Sequence, residues 1–131
     1  VNDRALRPNE VEIRMLARMD RVPAFRAMAA DMAMREDYDL DAIADLRLAV
    51  EEACATVLAN SDPSSVLVCR LLVSATEYEV SAQVALTSSR EPSVGPLSLR
   101  ILRTLSDSVD YWTSNVDGQR LFHVQLNKTR T

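Results

Sequence analysis

The sequence predicts a two-layer α/β (α+β) sandwich: a mostly antiparallel five-stranded sheet with three helices covering one face. Three observations carry this. Short stretches alternate apolar and polar residues, which is the period of a strand with one wet face. One long stretch, residues 40–59, repeats its apolar residues at three-four spacing, as a buried helix does. Two short polar links, around residues 75–76 and at Val116-Asp117-Gly118, join alternating segments as hairpins do. With 131 residues, the chain fits one domain spanning 1–131 and can bury a core without metal or disulfides.

The first strand covers residues 10–15, with Val11, Ile13 and Met15 inward and Glu10, Glu12 and Arg14 in water. Pro23 suits the first turn of a helix that runs to about Met34, with Asp20 placed upstream where the helix dipole favours negative charge. Its methionines, Met28, Met32 and Met34, read as core, or alternatively as an adaptable binding face. The acidic loop Glu36-Asp37-Tyr38-Asp39 follows, and Asp39 or Asp41 caps the second helix.

Ile43, Leu46, Val50, Ala53 or Cys54, and Val57 make the stripe of that second helix, and Leu48, Ala49 and Ala55 widen it. It is therefore expected to be central and to lie on the sheet. Glu51 reads as a solvated neighbour of Arg47. Strands at 65–74 and 77–87 follow; in the second, Tyr78, Val80, Ala82, Val84 and Leu86 face inward, with Glu79, Ser81 and Gln83 outward. A polar loop leads to a third helix at 97–105, and strands at 108–115 and 119–128 complete the order β-α-α-β-β-α-β-β. Tyr111 and Trp112 read as core or edge packing, and His123 as an outward residue.

Composition narrows the function classes. Hydrophobic content of 47% and charged content of 26% are ordinary for a globular domain. Net charge of −4 with dispersed basic residues argues against non-specific nucleic-acid binding through phosphates. No apolar run reaches a membrane span, and no secretory signal is visible; the chain begins at Val1 rather than Met, which leaves a preceding segment open. A cytoplasmic setting with Cys54 and Cys69 reduced in the core is the expectation, with a redox bridge between them as the alternative. Neither cysteine has zinc spacing, and His123 is the single histidine.

The most specific stretch is Asp45-Leu46-Arg47-Leu48-Ala49-Val50-Glu51-Glu52-Ala53-Cys54-Ala55-Thr56, where Glu52 stands among apolar residues and Thr56 follows one turn later. Together with the element order, it resembles the RsbW-type anti-sigma-factor serine kinases of the histidine-kinase-like ATPase superfamily, and especially their mycobacterial-type members. The resemblance spans nearly the whole chain. It implies that fold, and it places Glu52 on the family's general-base glutamate; an apolar setting suits a carboxylate that accepts a hydroxyl proton. Thr56 then stands where the family has a magnesium-ligating asparagine, and a short hydroxyl is a poorer ligand.

Two further departures accompany it. The family's Asp-x-Gly-x-Gly run, whose aspartate reads adenine, corresponds here to about Leu86-Thr87-Ser88-Ser89-Arg90. Leucine accepts no hydrogen bond, and a donor left unpaired costs roughly 1–3 kcal/mol. The family's long glycine-bearing lid is reduced to residues 90–96, and Pro96-Leu97-Ser98 replaces its closing glycine pair, leaving Gly95 alone. Proline removes a backbone N–H where a phosphate would seek donors.

The resemblance therefore implies a cytoplasmic anti-sigma factor that sequesters a stress-type sigma factor and is countered by an anti-anti-sigma antagonist. Arg26, at the interval before Glu52 where the family has a partner-contacting arginine, is the expected contact, with Arg21 second. Glu52 is a general base or a vestige of one. Thr56, Leu86, Ser88, Gly95 and Ser98 are altered ATP-site positions, so neither ATP nor Mg²⁺ is an expected cofactor. The alternatives are an active ATP-dependent kinase of the antagonist and a homodimeric interaction module.

Overall fold

The long helix α2 (Leu40–Leu58) organises the molecule, described for residues 5–130 in a computed structural model. Before it come β1 (Glu10–Leu16), a single 3-10 turn at Met19–Arg21, and α1 (Val22–Arg35). After it come β2 (Val66–Val73), β3 (Glu77–Ala85), α3 (Pro96–Thr104), β4 (Ser108–Val116) and β5 (Gln119–Thr129). The strands form one fully antiparallel sheet in the order β1-β2-β3-β5-β4. The expected sandwich is present, element for element.

Local chemistry explains the boundaries. Asp39 is the N-cap of α2, its carboxylate accepting from the Ala42 N–H at 2.8 Å. The end of α1 is a Schellman motif: Tyr38 N–H reaches Ala33 O at 3.1 Å and Asp37 N–H reaches Met34 O at 3.0 Å. Asp37 takes the left-handed position, φ 58°, usually filled by glycine. Asp20 does not cap α1; it pairs with Arg18 at 2.7 Å. The β4–β5 link turns on Asp117 and Gly118, both at positive φ (52° and 80°), as a two-residue hairpin of the matching twist requires.

The row Ile13, Cys69, Ala82, Val124 and Tyr111 runs across all five strands beneath the helices. Phe25 of α1, Leu46, Val50 and Val57 of α2, and Leu102 of α3 pack on that face with Leu67, Leu71, Val80, Phe122 and Leu126. These side chains are almost wholly removed from water, and they supply most of the driving force for folding.

Three sequence expectations need correction. Leu48 is 53% exposed and lies outside the buried stripe, because it falls on the side of α2 turned away from the sheet. Glu51 pairs with Arg26 of α1 at 3.2 Å, a partner that spacing within α2 does not indicate. The outer sheet face is not simply wet: Glu10, Arg70 and Gln83 are buried. There the Arg70 guanidinium meets Glu12 at 3.1 Å, and Arg7 joins Glu10 and Glu79, each at 3.0 Å. Neighbouring strands shield these groups, and opposite charges offset the cost of desolvation.

Candidate functional site

Glu52 and Thr56 of α2 and Asn60, just past its C-cap Ala59, follow one another at four-residue steps. The Thr56 hydroxyl donates to Glu52 O at 2.8 Å, and the Asn60 amide donates to Thr56 O at 3.0 Å. Asn60 then grips the β3–α3 connection. Its Oδ1 accepts from Ser93 N–H at 3.0 Å and its amide donates to Ser93 O at 2.9 Å. At the other end of the same connection, Arg120 of β5 donates to Ser88 O at 3.2 Å and pairs with Glu91 at 3.1 Å.

The nucleotide-position residues do not converge on one cavity. Leu86 and Ser88 border a hollow of about 350 Å³ together with Asn60, Ser61, Arg90 and Glu91. The Leu86 side chain is buried, and its backbone is occupied by Arg120 O and the Gln119 amide. Ser88 Oγ accepts from Arg90 N–H at 3.0 Å. Glu52 borders a different hollow of about 440 Å³, with Met19, Leu48, Glu51, Ala55 and Ile101. Thr56, Gly95 and Ser98 line neither. Gly95 is the extended N-cap of α3, and an added Cβ there would meet nothing closer than Ser98 Oγ at 4.0 Å, so the position does not demand glycine.

The second hollow lies between α2 and α3, and its floor is apolar. Met19 (46% exposed) and Leu48 sit at its margin, and the Arg26–Glu51 pair links that margin to α1. The Glu52 carboxylate makes no hydrogen bond or ion pair among the described residues. Arg21 is exposed in the 3-10 turn next to Met19. Thus Arg26, Arg21 and Glu52 lie around a margin of Met19, which the sequence reading passed over, and Leu48, which it placed in the buried stripe. Leu48 was the available signal: a leucine flanked by Arg47 and Glu51 on an otherwise polar side of α2.

The far side of the sheet holds a separate arrangement. Trp112 stacks on His123 with ring centroids 4.8 Å apart and planes 5° off parallel, and His123 is 2.7 Å from Ser114 Oγ. Burial lowers the imidazole pKa there. His123 is outward from the helices, as expected, and Trp112 is a partly exposed packing partner.

Fold and region together define an α+β domain with an apolar, charge-rimmed hollow beside its central helix. No family model matches the chain. It is similar to the anti-sigma-F factor RsbW of Mycobacterium tuberculosis, in strain CDC 1551 / Oshkosh and in strain ATCC 25618 / H37Rv. Each is 33% identical over 101 residues, covering 76% of this chain and 59% of the relative. The chain thus spans less than two thirds of the length of these curated relatives. Over the matched residues it is related to the RsbW-type anti-sigma factors.

Proposed function

We propose that this chain is an anti-sigma factor that occludes an alternative sigma factor and works without a bound nucleotide. The observation that carries the first part is the 33% identity to a protein named as an anti-sigma factor, on a chain whose element order matches the expected fold. Occlusion needs a few buried anchors rather than chemistry, and the margin of Met19, Leu48 and Arg26 offers two apolar side chains beside a guanidinium. An anti-anti-sigma antagonist competing for that face would release the sigma factor. The setting is cytoplasmic, where transcription takes place in a bacterium; no helix among the described residues is long and apolar enough to cross a membrane.

The second part rests on what the nucleotide positions are engaged in. A magnesium ligand at Thr56 would have to give up its bond to Glu52 O. A base-reading acceptor at Leu86 is replaced by a buried hydrocarbon. A closing lid is replaced by a connection fastened to Asn60 and Arg120. These residues do not suit ATP–Mg²⁺, and no phosphoryl-transfer step is assigned to Glu52.

Co-elution of the purified chain with candidate sigma factors on size exclusion tests the first part, and the same column shows whether it is a homodimer. A stable complex with one of them, displaced by an antagonist, is expected. A folded chain that binds none of the genome's sigma factors would leave only the reading as an interaction module.

A further inference from the structure

Cys54 of α2 and Cys69 of β2 face each other across the layer between helix and sheet, their sulfurs 3.7 Å apart. Both thiols are free and neither is reached by solvent. A single thiol so placed would be inert core packing. Two in contact are chemically different, because whichever is oxidised first already has its partner at hand.

We propose that Cys54 and Cys69 form a reversible modification site, an intramolecular disulfide that ties α2 to β2 when the chain meets a hydroperoxide. In the first step one sulfur attacks the peroxide oxygen, and a sulfenic acid and one alcohol or water molecule result. In the second the other thiol displaces the sulfenic oxygen as water, forming the S–S bond. Two electrons pass from the sulfurs to the peroxide, and two thiol hydrogens leave in the products.

The geometry favours the second step over further oxidation. The sulfurs need close only from 3.7 Å to about 2 Å for the bond to form. A sulfenic acid in contact with a thiol is trapped as a disulfide before a second peroxide molecule arrives. The first step is slow by contrast: the contact with Cys54, together with burial, holds the Cys69 thiol well above its ordinary pKa range, which keeps thiolate scarce. The site therefore stays reduced at rest and records sustained exposure to oxidant.

Cys54 lies between Glu52 and Thr56 in α2, on the stretch of helix whose Glu51 and Ala55 line the apolar hollow. A bond there fixes that stretch of helix to the sheet. The two residues are 15 apart in the chain, so the closed loop is short, and the crosslink is expected to raise the melting temperature by on the order of 5–10 °C.

The test uses the full, reduced chain incubated with hydrogen peroxide under native conditions. The expected results are a mass loss of about 2 Da, one Cys54–Cys69 crosslinked peptide after digestion without reductant, and no thiol left to alkylate in denaturant. The melting temperature should rise, and dithiothreitol should reverse every change. Cys54→Ser and Cys69→Ser should show neither the mass loss nor the shift in melting. Thiols of the treated wild-type chain that are still alkylated in denaturant would overturn the proposal. So would sulfinic acid, or crosslinks between chains, as the main product. The mass and peptide readouts on the wild-type chain decide the matter even if a serine variant folds poorly.

Discussion

The two sides of α2 differ in almost every respect that matters for stability and recognition. The side turned to the sheet places Leu46, Val50, Ala53, Cys54 and Val57 at no measurable exposure. The side turned to α3 and solvent places Leu48, Glu51, Glu52 and Ala55 around an apolar hollow, with Arg26 of α1 alongside. The first side uses hydrophobic residues to hold the fold. The second leaves a leucine in water and a carboxylate without a partner among the described residues, at a cost the fold does not need to bear. Exposed apolar surface rimmed by charge is what a recognition face looks like.

The sharpest way to break this comparison is to truncate one leucine on each side. Leu46→Ala should cost about 2–5 kcal/mol in urea unfolding, because it leaves a cavity in a close-packed core. Leu48→Ala should change stability by no more than about 0.5 kcal/mol while weakening partner binding. Equal stability losses would erase the distinction between the sides.

Arg26 comes next. Its pair with Glu51 is partly exposed, with side chains 30% and 42% accessible, and such pairs contribute less than about 1 kcal/mol to folding. A partner carboxylate that captures the guanidinium in a dry interface would gain far more, about 2–5 kcal/mol on truncation. Arg26→Glu should therefore cost more affinity than Arg26→Ala, with nearly unchanged melting. Calorimetry against the sigma factor and the antagonist checks this, and unaltered affinity for both would make Arg26 an ordinary surface residue.

A smaller effect belongs to the other face of the sheet. Burial depresses the His123 pKa below the unfolded value of about 6.5. The unfolded chain therefore binds a proton that the folded chain does not. The stability this contributes is complete above about pH 6.5 and is lost as pH falls toward the folded value. His123→Phe should lose less stability than wild type between about pH 7.5 and 5.5, measured by melting at constant ionic strength. Parallel pH profiles would contradict the sign.

Least of all should change with Glu52→Gln. It removes a charge while keeping size, and a chain that acts by occlusion should hold its sigma factor almost as before. A large loss of inhibition with the fold intact would mean that the charge itself is used.

Much of this fold was readable because its signals are local: the alternation of the strands, the Asp39 cap, the Asp117-Gly118 turn and the stripe through Leu46 and Val50 each depend on neighbours in the chain. What escaped depends on pairs far apart in sequence. Glu51 has Arg47 within one turn, but Arg26, on another helix, is the cation it meets. Glu10 reads as a wet-face residue until Arg7 and the buried Arg70 surround it. Asn60 is 33 residues from Ser93 in the chain, and only the folded chain reveals its grip on it. The resemblance puts Glu52 on a retained family position and Thr56 on an altered one, yet their separation from Leu86 and Ser88 into different surroundings is a matter of packing that spacing alone does not encode.

The central claim is sequestration independent of nucleotide, and one titration tests it most directly. The sigma factor is titrated into the chain by calorimetry, once with millimolar ATP–Mg²⁺ and once with nucleotide removed and metal chelated. The two affinities should agree within about threefold, and ATP–Mg²⁺ alone should give no saturable heat. A sigma factor affinity that rises tenfold or more with ATP–Mg²⁺, or a micromolar dissociation constant for the nucleotide itself, would contradict the account.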